Sequence, residues 1–131
     1  MNIYLASGFR QRTKLRHFAS LLEEKRISVC SRWIWLDERP ERGTEDWETF
    51  AEAIAYENVE DLIKADAIII DTEGIADSNN GGVHFETGFM YALGKPVIVV
   101  GRPKNTFHWL QDIFIVENYN KAMAVVMDLQ G

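Results

Sequence analysis

The stretch Asp66–Gly101, DAIIIDTEGIADSNNGGVHFETGFMYALGKPVIVVG, decides the fold. Its first apolar run, Ala67 to Ile70, ends on the carboxylate of Asp71. A polar, glycine-containing loop follows, then a helical pattern, then a second apolar run from Val97 to Val100. Unbroken β-branched runs suit strands buried on both faces of a parallel sheet, and a strand–loop–helix–strand unit of this length is a βαβ crossover. One residue of the helical pattern is out of place. Glu86 has Val83 three positions before it and Phe89, Met90 and Leu93 at three, four and seven after, so a carboxylate falls in the middle of the apolar stripe. An acid so placed is either paired for structure or kept for chemistry, and chemistry is the stronger reading.

Outward from this unit, strands and helices alternate. Ile3 to Ala6 reads as strand 1, followed by a Ser7–Arg10 loop and a helix with Leu15, Phe18, Ala19 and Leu22 at helical spacing. Strand 2 lies within Ile27–Trp35. After a charged loop containing Pro40, Thr44 caps a long helix whose stripe is Trp47, Phe50, Ala51, Ile54 and Leu62. Asn58 interrupts that stripe. Helix 3 stops at Gly94, ahead of Pro96. A helical turn at Thr106–Leu110, a strand at Ile113–Val116 and a closing helix from Asn118, with Ala122, Val125, Val126 and Leu129 inward, complete the chain. This alternation predicts one domain over residues 1–131, a doubly wound three-layer α/β sandwich with a five-stranded parallel sheet in the flavodoxin-like order 2-1-3-4-5. That order reverses between strands 1 and 3, which puts the ligand crevice beside the Ser7–Arg10 and Thr72–Gly82 loops.

At 47% hydrophobic residues, 131 residues build one core without staples. A net charge of −6 argues against nucleic acid or an anionic membrane as partner, though arginines and backbone N–H groups can still hold small anions. The single cysteine, Cys30, has no partner and reads as a small buried hydrophobe. No apolar run approaches the roughly 20 residues of a membrane span, and the expected location is the cytoplasm. The three histidines and one cysteine are not at metal-ligand spacing. Neither G-x-G-x-x-G nor a P-loop is present, so no metal and no cofactor is expected.

Tyr4, Ser7, Gly8 and Arg10 in IYLASGFR, Asp66 with its apolar strand, and GGVHFETGFMYALGKPVIVVG resemble the nucleoside 2-deoxyribosyltransferase superfamily. That superfamily includes deoxynucleoside 5′-monophosphate N-glycosidases. The E-x-G-x-x-x-A-x-G-K-P pattern from Glu86 to Pro96 is the most specific part, and SRW at Ser31–Trp33 and NTFHWL at Asn105–Leu110 extend the likeness over nearly the whole chain. The resemblance implies a nucleoside or nucleotide substrate and Glu86 as the nucleophile that attacks the anomeric carbon. It implies Tyr4 as the group orienting that carboxylate, Asn80 as a contact to sugar or base, and Ser7, Gly8 and Arg10 as the loop holding a 5′-phosphate. Asn58 stands where the family usually has an Asp. An amide can bind sugar hydroxyls there but cannot deliver a proton.

Glycosidic cleavage through an oxocarbenium-like transition state suits one ionised carboxylate beneath the anomeric carbon, and Gly81–Gly82 gives a ligand close backbone approach. Asp71, Asp77 and His84 are local candidates for protonating the leaving base. Histidine is the residue type suited to proton transfer near neutrality, but His84 sits two residues from Glu86 and points away from it on a regular helix, as a rim or subunit-contact residue. Trp33 or Trp35, at the end of strand 2, is best placed to stack a base, and His108 reads as packing or base stacking rather than catalysis. Two alternatives stand beside this reading: a non-catalytic nucleotide-binding module, and an NAD-cleaving relative of Toll/interleukin-receptor-like domains. Phe85, Phe89, Met90 and Tyr91 exceed what one inward stripe holds, which predicts a homodimer or larger homo-oligomer with helix 3 near the contact.

Overall fold

The computed structural model describes residues 1–75 and 81–131, so Asp77 and Asn80 lie outside the described residues. The elements run β1 (Asn2–Ala6), α1 (Arg12–Glu24), β2 (Ser28–Val29), α2 (Glu45–Lys64), β3 (Ala67–Asp71), α3 (Gly81–Ala92), β4 (Val97–Val100), β5 (Phe114–Val116) and α4 (Tyr119–Gln130). Short 3₁₀ turns occupy Phe9–Gln11, Arg32–Trp35, Thr72–Gly74 and Thr106–Trp109. All strand pairs are parallel and their order is β2-β1-β3-β4-β5, as the alternating pattern predicts.

The register assigns every strand residue to a face. Tyr4 pairs with Ile68, and Ile68 with Val97; Leu5 pairs with Ile69, and Ile69 with Ile98. Laterally paired residues point the same way and neighbours along a strand point oppositely. Tyr4, Ile68 and Ile70 therefore share the face covered by α2 and α3. Leu5, Ile69 and Asp71 share the face covered by α1 and α4, where Phe18 stacks on Tyr119 at 4.5 Å between ring centroids. Residues Ile3 to Ala6, Ala67 to Ile70 and Val97 to Val100 are all buried, the expected state of central strands covered on both sides.

Three expectations are corrected. Strand 2 lies within Ile27–Trp35 as expected but ends at Val29, so Trp33 and Trp35 do not stand at its end: the chain leaves the sheet edge and sends Trp33 and Ile34 into the core from a 3₁₀ turn. The Trp33 indole N–H donates to the Leu5 carbonyl at 2.8 Å, and that bond fixes the turn. Trp35 is exposed. Leu93 and Leu129, read as inward, are also exposed near their helix ends. Thr44 caps α2 as expected, accepting from the Trp47 N–H at 3.1 Å.

Two contacts set the walls around the switch point. Asp61 in α2 is buried and accepts from both the backbone N–H of Arg32 (3.0 Å) and its Nε (2.9 Å), which ties the Trp33 turn to α2. Gly8 lies so close to the next loop that a Cβ there would meet the Gly74 carbonyl at 2.3 Å. Only glycine lets these two loops close against each other.

Candidate active site

A crevice of about 270 Å³ opens at the carboxyl ends of β1 and β3, where the strand order reverses. Ser7 and Gly8 of the first loop, Trp33 of the turn, Asn58 of α2, and Gly82 and Glu86 of α3 line it. Tyr4, fully buried beneath, donates its hydroxyl to Glu86 Oε2 through a short hydrogen bond. Burial raises the Glu86 carboxyl to about 7, and the Tyr4 hydrogen bond partly offsets that rise. The Tyr4 hydroxyl is itself pushed far above its ordinary value, first by burial and then by the Glu86 charge, so it remains a donor. Opposite, the side-chain oxygen of Asn58 is buried without a hydrogen-bond partner among the described residues. Buried acceptors are seldom left unmade unless something else fills them.

Not every residue singled out from the sequence reaches this crevice. Asp71 does not. Its register position turns it to the α1–α4 face, where it accepts from the Tyr119 hydroxyl and from the Glu73 N–H (2.9 Å), and pairs with Lys14 Nζ at 2.9 Å. It lines a separate cavity of about 550 Å³. His84 likewise faces away from Glu86, into a third cavity of about 580 Å³ shared with Tyr91, Phe107 and His108. The His84 and His108 rings lie 6.0 Å apart, and burial followed by the neighbouring His84 lowers the pKa of His108. Ser7 lines the crevice, but its hydroxyl is spent on the Asp71 carbonyl at 2.8 Å. Arg10 is exposed and does not line the crevice.

The structure adds residues that the sequence pattern did not single out. Arg39 and Arg42, in the charged loop Asp37–Asp46 that reads from sequence as solvated surface at the edge of the crevice, line it with Phe9, Trp47 and Phe50. No spacing rule marks them, since a loop between a 3₁₀ turn and a helix has no period. Among the described residues, no cluster of His, Cys, Asp or Glu could hold a metal ion, and no helix is long and apolar enough to cross a membrane.

Fold and crevice together define a doubly wound α/β domain with its ligand cleft at the sheet's switch point. The sequence model of the nucleoside 2-deoxyribosyltransferase family matches residues 3–125, and the chain belongs to that family. Membership places it among enzymes that act on the N-glycosidic bond of nucleosides. It is similar to a solved 2-deoxyribosyltransferase from the psychrotolerant bacterium Bacillus psychrosaccharolyticus, at 25% identity and TM-score 0.62 over 94% of this chain and 90% of that one. A conserved protein from Enterococcus faecalis V583 shares the fold at 18% identity and TM-score 0.62, over 98% of both chains. The CMP N-glycosidase BcmB of Clostridium botulinum shares it at 14% identity and TM-score 0.54, over 98% of this chain and 99% of that one. No curated protein sequence matches significantly.

Proposed function

We propose that the protein cleaves or transfers the N-glycosidic bond of a deoxynucleoside or its 5′-monophosphate, with Glu86 as nucleophile. The observation that carries this reading is the Tyr4–Glu86 hydrogen bond at the floor of a crevice into which Asn58 offers an unpaired acceptor. A Glu86 oxygen attacks the anomeric carbon, the carbon–nitrogen bond breaks, and its electron pair leaves with the base. Water or a second base then displaces the carboxylate from the resulting ester. Tyr4 holds one carboxylate oxygen and so aims the other, while the Asn58 oxygen accepts from a sugar hydroxyl. Incubation with deoxynucleosides, their monophosphates and NAD, with products separated by chromatography, tests the reading. Free base without nicotinamide supports it. Asn58 favours a second reading, a binder without turnover, in which every ligand is recovered intact.

Tyr4→Phe gives the pH test. Glu86 must be ionised to attack, so kcat/KM rises with pH along a limb centred near 7. The Tyr4 hydrogen bond lowers the Glu86 pKa, so its removal moves that limb to higher pH and reduces the plateau about 10- to 100-fold. A limb that stays in place in the variant would separate Tyr4 from the nucleophile.

Assembly belongs to the same reading. Phe85 of α3 and Leu93 just beyond its end are 60% and 51% exposed, and Phe107 and Trp109 reach 67% and 69%. So much aromatic and aliphatic surface supports a contact between copies of the chain. Light scattering at micromolar concentration is expected to give a dimer or larger species, and a fully active monomer would refute it.

A further inference from the structure

The rim of the crevice carries an unusual concentration of uncompensated positive charge. Arg39 and Arg42 line the opening, and the Arg12 and Arg39 guanidiniums lie over the Phe9 ring at 3.6 and 4.4 Å. Arg39 and Arg42 also flank the Trp47 ring, at 5.7 and 5.2 Å. Arg10 is close enough that its charge, after burial and the charges of Arg42 and Arg12, helps lower the Arg39 pKa. Among the described residues none of these four forms an ion pair, although the whole chain carries 20 acidic residues against 14 basic ones. Glu38 and Glu41, their neighbours in the chain, leave them unpaired too. Arg12 spends its N–H groups on the carbonyls of Phe9 and Leu36, but among the described residues the Arg39 and Arg42 side chains have no hydrogen-bond partner. A guanidinium stacked on a ring is held in place while its in-plane N–H groups stay free, the preorganised state for gripping phosphate oxygens.

We infer that Arg39 and Arg42 form a phosphate-binding site at the crevice mouth, so that the ligand taken there is a nucleotide in preference to a nucleoside. This rests on the nucleoside-cleaving reading above and deepens it. The shared chemistry is a phosphoryl group attached to the sugar, supplied by a monophosphate or by a longer chain. Like charges held together without partners cost the free protein stability, and a polyanion removes that repulsion on binding.

Calorimetric titration of Glu86→Gln protein, which removes turnover, decides the matter. The probes are the four common deoxynucleosides, their 5′-monophosphates and 5′-triphosphates, and inorganic pyrophosphate. At least one nucleotide is expected to bind about 10-fold or more tightly than its nucleoside. Adding Arg39→Met and Arg42→Met, at exposed positions where the fold does not depend on them, is expected to erase most of that difference and leave nucleoside affinity in place. Equal affinity for monophosphate and triphosphate identifies a one-phosphate site; a tighter triphosphate identifies a longer one. Nucleosides binding as tightly as nucleotides, or a preference that survives the double substitution, would overturn the inference. If no nucleoside or nucleotide binds but pyrophosphate does, and loses its affinity in the double variant, the anion site stands and the glycosidic reading falls. If pyrophosphate also fails to bind, both fall.

Discussion

Glu86→Gln is expected to lower turnover by about three orders of magnitude or more and, at pH 8, to make the protein more stable. The first effect follows from the proposed reading, in which Glu86 is the group that forms the glycosyl ester. The second follows from linkage. In the unfolded chain the carboxyl titrates at its ordinary value of 4.5, and in the folded protein burial raises it to about 7. The folded state therefore keeps a proton that the unfolded state has released. Its advantage is complete below about pH 4.5 and is lost as pH rises through 7, a change on the order of 3 kcal/mol. Glutamine keeps the shape and the acceptor for Tyr4 without the charge. Urea unfolding at pH 5 and pH 8 should show wild type and variant close together at the lower pH and the variant ahead at the higher. An activity loss below about 10-fold would remove Glu86 from the chemistry; equal stability at both pH values would show that its carboxylate is well solvated.

Asn58→Asp carries the other large effect. Asn58 shares the crevice with Glu86, and its amide oxygen is buried and unpaired. An acid there stands near the Glu86 charge, and like charges at close range keep one of the two protonated near neutrality. A protonated carboxyl facing the departing base is a general acid, so the variant is expected to gain about 10- to 100-fold on deoxynucleosides with poor leaving bases. Substrates with good leaving bases, which need no proton, should gain little. Initial rates across a series of bases, plotted against base pKa, check this: a flatter slope in the variant is the expected result, and an unchanged slope would show that the protein does not depend on an acid at this position.

Strands β3 and β4 were legible because their β-branched runs have a single solution, burial on both faces. Thr44 and Gly94 marked helix ends through local chemistry alone: a hydroxyl for free N–H groups, and a residue at φ +71 that closes a helix. Glu86 was legible as a break in a period. Register is another matter. Whether Asp71 faces Glu86 or the opposite helices depends on which residue of β1 pairs with Ile69, and that pairing leaves no trace in either strand's composition. A slip of one position would have exchanged the two faces. The turn that buries Trp33 was hidden for a related reason, since a run of large apolar residues is equally compatible with a strand and with a tight turn plugged into a core. Arg39 and Arg42 became visible only once α2 and the first loop were assembled, because their platforms, Trp47 and Phe9, lie in separate elements.

From Glu45 to Glu60, four turns of α2, no residue is fully buried; full burial comes only at Asp61 and Leu62 near the helix end, with Ile54 partly buried against the core. The wall of the crevice that bears Trp47, Phe50, Ile54 and Asn58 is therefore tied to the core more lightly than the central strands are. Substitutions along it can reshape what the crevice accepts without drawing on the small stability margin that limits change elsewhere. The opposite wall has no such freedom, because Glu86 leans on Tyr4 in the central strand. One side of the cleft thus tolerates change in shape more readily than the other.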